Sequence, residues 1–274
     1  MTTAHEADRE LAADAPPSVV LGLAERTTRF RDHLATLQFA EPSAAFRAQT
    51  LAEQAGDLCE AAKTVAAETG KIRLYRSPAV LDAFSRLRLL AAQAQLADEH
   101  LTWVSVYLGE LTPEERSQRP CPPGRVLDTM LEAGRHLREA DMMTALGAPD
   151  ALCAAEDFAV ALRAQKAGSR PHPMSPAQYA ALHATASGYV TVDRLGAEEW
   201  AWSRLDRISM ATIRSLESRG WVLREAHHPV PGSRSARLHL TETGRLVLAS
   251  RLGRAPADAR PRATAVQPTR TRAR

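Results

Sequence analysis

A chain of 274 residues is long enough for one large domain or two ordinary ones with a sizeable core, and none of its apolar runs is long enough to span a membrane. The acidic, polar start MTTAHEADRELAADAPP is unlike a secretory leader, and three dispersed cysteines (Cys59, Cys121, Cys153) argue against a disulfide framework and for a reducing cytoplasm. The net charge of +3 hides a gradient: residues 1–174 carry 19 Lys and Arg against 24 Asp and Glu, residues 175–252 carry 10 against 7, and the last 22 carry six Arg against Asp258. Positive charge therefore rises toward the C-terminus.

Residues 1–18, ending in Pro16-Pro17, read as a disordered N-terminus. From 19 to 168 the chain lacks strand alternation and reads as a helical dimerisation or interaction domain. Leu51, Ala55, Leu58, Ala62 and Val65 follow a 4,3,4,3 spacing that lines one side of a helix ending near Gly70. Ser77-Pro78 is a good cap and first-turn pair for a long helix over 78–108. Its apolar positions are Val80, Phe84, Leu87, Ala91, Ala94, Leu101, Val104 and Leu108. The two heptad-like stripes suggest a homodimer joined through these helices, while short loops would bury the same stripes within one chain. RSQRPCPPG at 116–124 forbids a regular helix. Shorter helices follow at about 125–146 and 150–167, separated by Gly147-Ala148-Pro149.

GSRPHPMSP at 168–176 marks a domain boundary. Ser175-Pro176 starts a helix with Tyr179, Leu182 and His183, and Tyr189-Val190-Thr191-Val192 is a short β-like run. A charged segment with Trp200, Trp202 and Leu205 leads to ISMATIRSLESRGWVLRE at 208–225. There Ser209 is an N-cap, Ile213 and Leu216 share an inner side, and Gly220 stops the helix before the strand-like Trp221-Val222-Leu223. HHPVPGSRS at 227–235 is a polar loop. Leu238 and Leu240 alternate as a second strand pairing with 221–226, and Thr241 caps a last helix with Leu246, Val247 and Leu252. The order is helix, short strand, helix, helix, strand, loop, strand, helix. The tail 253–274 reads as disordered and basic.

LESRGWV, followed after a basic loop by LHLTETGR, resembles the recognition-helix end, wing and following helix of winged-helix regulators of the MarR type, over about 175–252. The resemblance implies a DNA-binding domain that usually works within a dimer. The expected fold class is thus mainly α, with an N-terminal helical bundle or dimerisation domain followed by an α+β winged-helix domain at 169–252.

A recognition helix docks by its outward face, nearest the bases at its N-terminal part. Met210, Ala211, Arg214 and Ser215 are the expected face, and Arg214 suits bidentate pairing with guanine. Ser209 and Thr212 are expected to contact phosphate or to cap and pack. Arg204, Arg207 and Arg219 border the helix, and Arg234 with Arg237 mark the wing, where a narrow minor groove would attract arginine. Trp221 covers the hairpin base, and Trp103 with Tyr107 form a packing pair on the long helix. His227 and His228 lack partners at metal-ligand spacing. No phosphate loop, dinucleotide fingerprint or metalloprotease motif occurs, so no cofactor, metal or catalytic residue is expected.

The function these residues suggest is sequence-specific binding of double-stranded DNA by a cytoplasmic homodimer that regulates transcription. The helical region would dimerise or take a small-molecule or protein effector. Two other readings stay open: a protein-docking or assembly module, and a DNA binder of plasmid replication or maintenance.

Overall fold

The computed structural model describes residues 15–72, 74–117, 124–165, 170–195, 198–204, 207–227 and 235–254. Among the described residues six helices come first: α1 Ala15–Ala35, α2 Ala44–Gly70, α3 Pro78–Gly109, α4 Pro113–Ser117, α5 Gly124–Thr144 and α6 Gly147–Ala164. Then come α7 Pro176–Ala186, β1 Val190–Leu195, β2 Glu198–Ser203, α8 Met210–Ser218, β3 Val222–His227, β4 Ser235–Leu240 and α9 Glu242–Ala249. Among the described residues the fold is mainly α with one four-stranded antiparallel sheet. No helix among the described residues is long and apolar enough to cross a membrane.

The two heptad-like stripes pack on each other within the chain. Leu58, Ala62 and Val65 of α2 share one core cluster with Val80, Leu87, Ala91 and Ala94 of α3, while Leu51 and Ala55 share a second with Leu101, Val104 and Leu108. The pair is thus antiparallel, closed by a connection too short to let the stripes part, and neither stripe is free for another chain. Ser77 accepts from the Val80 amide at 3.3 Å, capping α3 as its sequence suggested. Two helix starts differ from the sequence reading. Pro16-Pro17 open α1 and Pro149 lies in the first turn of α6. A missing N–H costs nothing there, because first-turn amides have no partner within the helix.

The strand order is β2-β1-β4-β3. Ser175 and Gln178 form a reciprocal capping box on α7. The expected hairpin is present, with Val222 opposite Leu240 and Ala226 opposite Ala236. The segment before α8 differs: residues 198–203 form strand β2, paired with β1, where the sequence reading placed a helix. Trp200 and Trp202, two apart, fall on one side of that strand, as its period requires.

The sheet has two unlike faces. Val190, Val192, Val222, Leu238 and Leu240 join Ile213 and Leu216 of α8, Leu182 of α7 and Leu248 of α9 in one apolar core. That core continues into α1 and α6 through Leu21, Leu23 and Phe158, so the boundary at 168–176 does not interrupt it. Leu246 is only half-buried, and Val247 and Leu248 take the inward positions of α9. Gly220 has φ +67°, the left-handed value its place after α8 requires. Gly244 serves a different need: a Cβ there would lie 1.9 Å from the Trp221 carbonyl oxygen. The glycine lets α9 meet the turn, where Thr241 also donates through its hydroxyl to the Gly220 carbonyl at 2.6 Å.

Candidate nucleic-acid interface

Helix α8 is fixed from three sides. Its N-cap Ser209 accepts from the Thr212 amide at 3.1 Å, and the two hydroxyls lie 2.9 Å apart. Ile213 and Leu216 are fully buried, and Met210 packs partly against the same core. Gln178 of α7 donates to the Ser215 hydroxyl at 3.0 Å. Ser209, Thr212 and Ser215 thus fasten the helix, and Ser215 faces α7 more than solvent.

The outward side carries Ala211, Arg214 and Ser218. The Arg214 side chain is 68% exposed, with its nearest carboxylate at Glu199, 3.7 Å away. Glu199 and the other nearby acid, Glu217, are both held by Arg224, which donates to Glu199 at 3.1 Å and to Glu217 through two nitrogens. The Glu217 hydrogen bond is the largest cause of a raised Arg224 pKa. Arg224 offsets part of the negative charge of the two carboxylates beside Arg214, which keeps most of its surface in water. Arg224 was not among the expected residues. Its partners lie seven and twenty-five positions away, and no local pattern links them.

The remaining arginines divide into separate groups. Arg207 is exposed just before α8, and Arg219 stacks over Trp221 with its guanidinium carbon 4.9 Å from the ring centroid. Arg204 stands over Tyr189 at 5.7 Å. Arg237, expected beside the wing, lies on the polar face of the sheet. It donates to Asp32 of α1 at 3.0 Å and to the Gly188 carbonyl at 2.9 Å. Arg204 and Arg237 both line a cleft of about 520 Å³ between that face and α1, α5 and α6. They do not join Arg214. Arg234, His228 and the wing tip at 232–235 up to residue 234 lie outside the described residues, as do Cys121, residues 1–14 and the tail from 255.

The polar face meets α1 through a buried group of charges. His239, 1% exposed, has Nδ1 3.0 Å from Glu25 Oε1, a close polar approach without hydrogen-bond alignment. His227 Nδ1 stands 3.1 Å from Asp32 in the same manner. Glu25 also accepts from the Leu240 amide at 3.0 Å, and Arg29 bridges Glu25 and Glu225 at 3.0 and 2.6 Å. His227, which lacks a metal-ligand partner in the sequence, is therefore part of the contact between α1 and the sheet. No family model, curated protein or solved structure matches this chain.

Proposed function

We propose that this protein is a winged-helix regulator that binds double-stranded DNA sequence-specifically, with α8 in the major groove. The observation that carries the reading is Arg214. It projects from the outer face of a capped helix whose inner face is locked by Ile213 and Leu216, and its acidic neighbours are already engaged by Arg224. A guanidinium held this way can present two parallel donors to a guanine edge. In a helix-turn-helix the element before the reading helix crosses the phosphate backbone. Here the β1–β2 hairpin occupies that place, so backbone contact falls to Arg207, Arg219 and the amides and hydroxyls at the start of α8.

The test is selection of a preferred site from random duplexes, followed by titration of that site and a scrambled control at several salt concentrations. Arg214→Ala is expected to cost about 1–3 kcal/mol of specific binding and to relax preference at one base pair. Binding of all duplexes alike by the wild-type chain, or an unchanged preference in Arg214→Ala, would sink the reading. One observation favours protein docking as the second reading: Trp200 and Trp202 are 44% and 50% exposed on edge strand β2. A chain without duplex preference whose pull-down partners are lost on Trp200→Ala would support it.

A further inference from the structure

Only one side of α3 faces the core. On the other side Leu89, Ala92, Leu96, Glu99, Trp103 and Val106 are exposed, at intervals of three and four residues. Leu89, Leu96, Trp103 and Val106 each keep between 42% and 51% of their surface in water. Leu89, Leu96 and Trp103 stand seven residues apart, the repeat of a coiled-coil seam. An isolated exposed leucine is ordinary on a protein surface; a continuous seam of this kind marks a contact. Trp103 is already held in place, its ring stacked at 26° on buried His136 of α5 with centroids 6.2 Å apart.

We infer that this seam binds a second copy of the chain, antiparallel, about a two-fold axis crossing α3 near residue 94. Sizes and charges on the helix both select that arrangement. Antiparallel pairing about residue 94 sets Leu96 of one copy on Ala92 of the other and Trp103 on Ser85, a large side chain against a small one each time. Leu89 then lies along the aliphatic stem of Glu99. Arg88 is exposed on the same flank as Glu99, and neither forms an ion pair among the described residues. The same axis brings Arg88 of each copy level with Glu99 of the other, so a self-complementary contact gains two ion pairs. Sliding the pair by one heptad sets Asp82 against Glu99 in one direction and separates Arg88 from Glu99 in the other. A parallel pair in register sets arginine on arginine and tryptophan on tryptophan.

The contact is independent of DNA binding and is tested without DNA. Sedimentation velocity of the full chain across a micromolar concentration series is expected to show a dimer. Leu96→Glu is expected to sediment as a monomer with an unchanged helical circular dichroism spectrum, since Leu96 belongs to neither buried core cluster. Arg88→Glu and Glu99→Arg should each raise the dimer dissociation constant about tenfold. Both changes in one chain should restore it, because the exchanged charges meet again across the two-fold. A wild-type chain that stays monomeric overturns the inference. So does a dimer that Leu96→Glu leaves intact, or a double variant no tighter than the single ones.

Discussion

The α2–α3 seam and the junction of α1 with the sheet are both buried, yet they hold by opposite means. The buried positions of the seam are almost all leucine, alanine and valine, with Cys59 among them and Leu101 fully buried. The junction places Glu25, Asp32, His227, Arg237 and His239 within a few ångströms of one another. Apolar contact is non-directional and scales with area, so the seam depends on volume more than on exact geometry. A buried charge group is directional, and each member is stabilising only while its partners remain. The seam gives the helical part its cohesion. The junction fixes the angle at which the sheet, and α8 with it, sits on α1.

The largest expected effect comes from removing a partner at the junction. Asp32→Ala leaves the Arg237 guanidinium, 16% exposed, without its carboxylate, and should cost about 3–5 kcal/mol in urea unfolding. Asp32→Asn keeps the shape without the charge and should recover only part of that loss. Leu101→Ala in the seam should cost about 2–5 kcal/mol, whereas Leu101→Met should cost less than about 1.5 kcal/mol. The comparison breaks if Asp32→Asn is as harmless as Leu101→Met.

A third contact, between α3 and α5, combines the two kinds. Buried His136 meets His100, Nδ1 to Nδ1 at 2.9 Å, and Arg135 reaches its Nε2 at 3.2 Å. The Arg135 hydrogen bond makes Nε2 the acceptor, so Nδ1 carries the proton given to His100. Burial lowers the His136 pKa, with Arg135 and His100 adding to the effect and Glu132 and Glu139 opposing it. As pH falls through the unfolded histidine value near about 6.5, the unfolded chain takes up the proton first. Stability should therefore fall with acidification and level off below the folded value. Urea midpoints at pH 7.5 and 5.5 (about one unit either side of that value) should show the loss, and His136→Phe should reduce the difference.

The seam was readable in the sequence because its 4,3,4,3 spacing reports one helical face directly. Spacing cannot say whether the facing stripe belongs to the same chain, and the short connection at 71–77 decides that here. The β3–β4 hairpin was readable from alternation and from Gly220. Strand β2 was missed although Trp200 and Trp202 stand at strand period, because the winged-helix order suggested a helix there. Arg237 was expected at the wing, yet its partner Asp32 lies 205 residues earlier. Long-range ion pairs of this kind leave no mark on local sequence. The same holds for Arg224, and for the outer seam of α3, whose exposure depends on which face α2 covers.

The smallest expected effect tests a third mode of fastening, local rather than between elements. Ser209 satisfies one unpaired amide at the start of α8, that of Thr212 at 3.1 Å. Ser209→Ala should cost about 1 kcal/mol of stability, less than either change above, because Ile213 and Leu216 still anchor the helix. The loss should be local: faster hydrogen exchange at the Thr212 amide with little change at the seam. Ser209→Asn offers another capping oxygen without a charge and should restore both exchange protection and stability. DNA titration of the same pair then separates the two roles proposed for this serine. If Ser209 serves only as a cap, Asn binds duplexes as the wild type does and Ala binds more weakly. If Asn restores the helix but not the affinity, the hydroxyl itself contacts phosphate, and the start of α8 is part of the interface rather than its support.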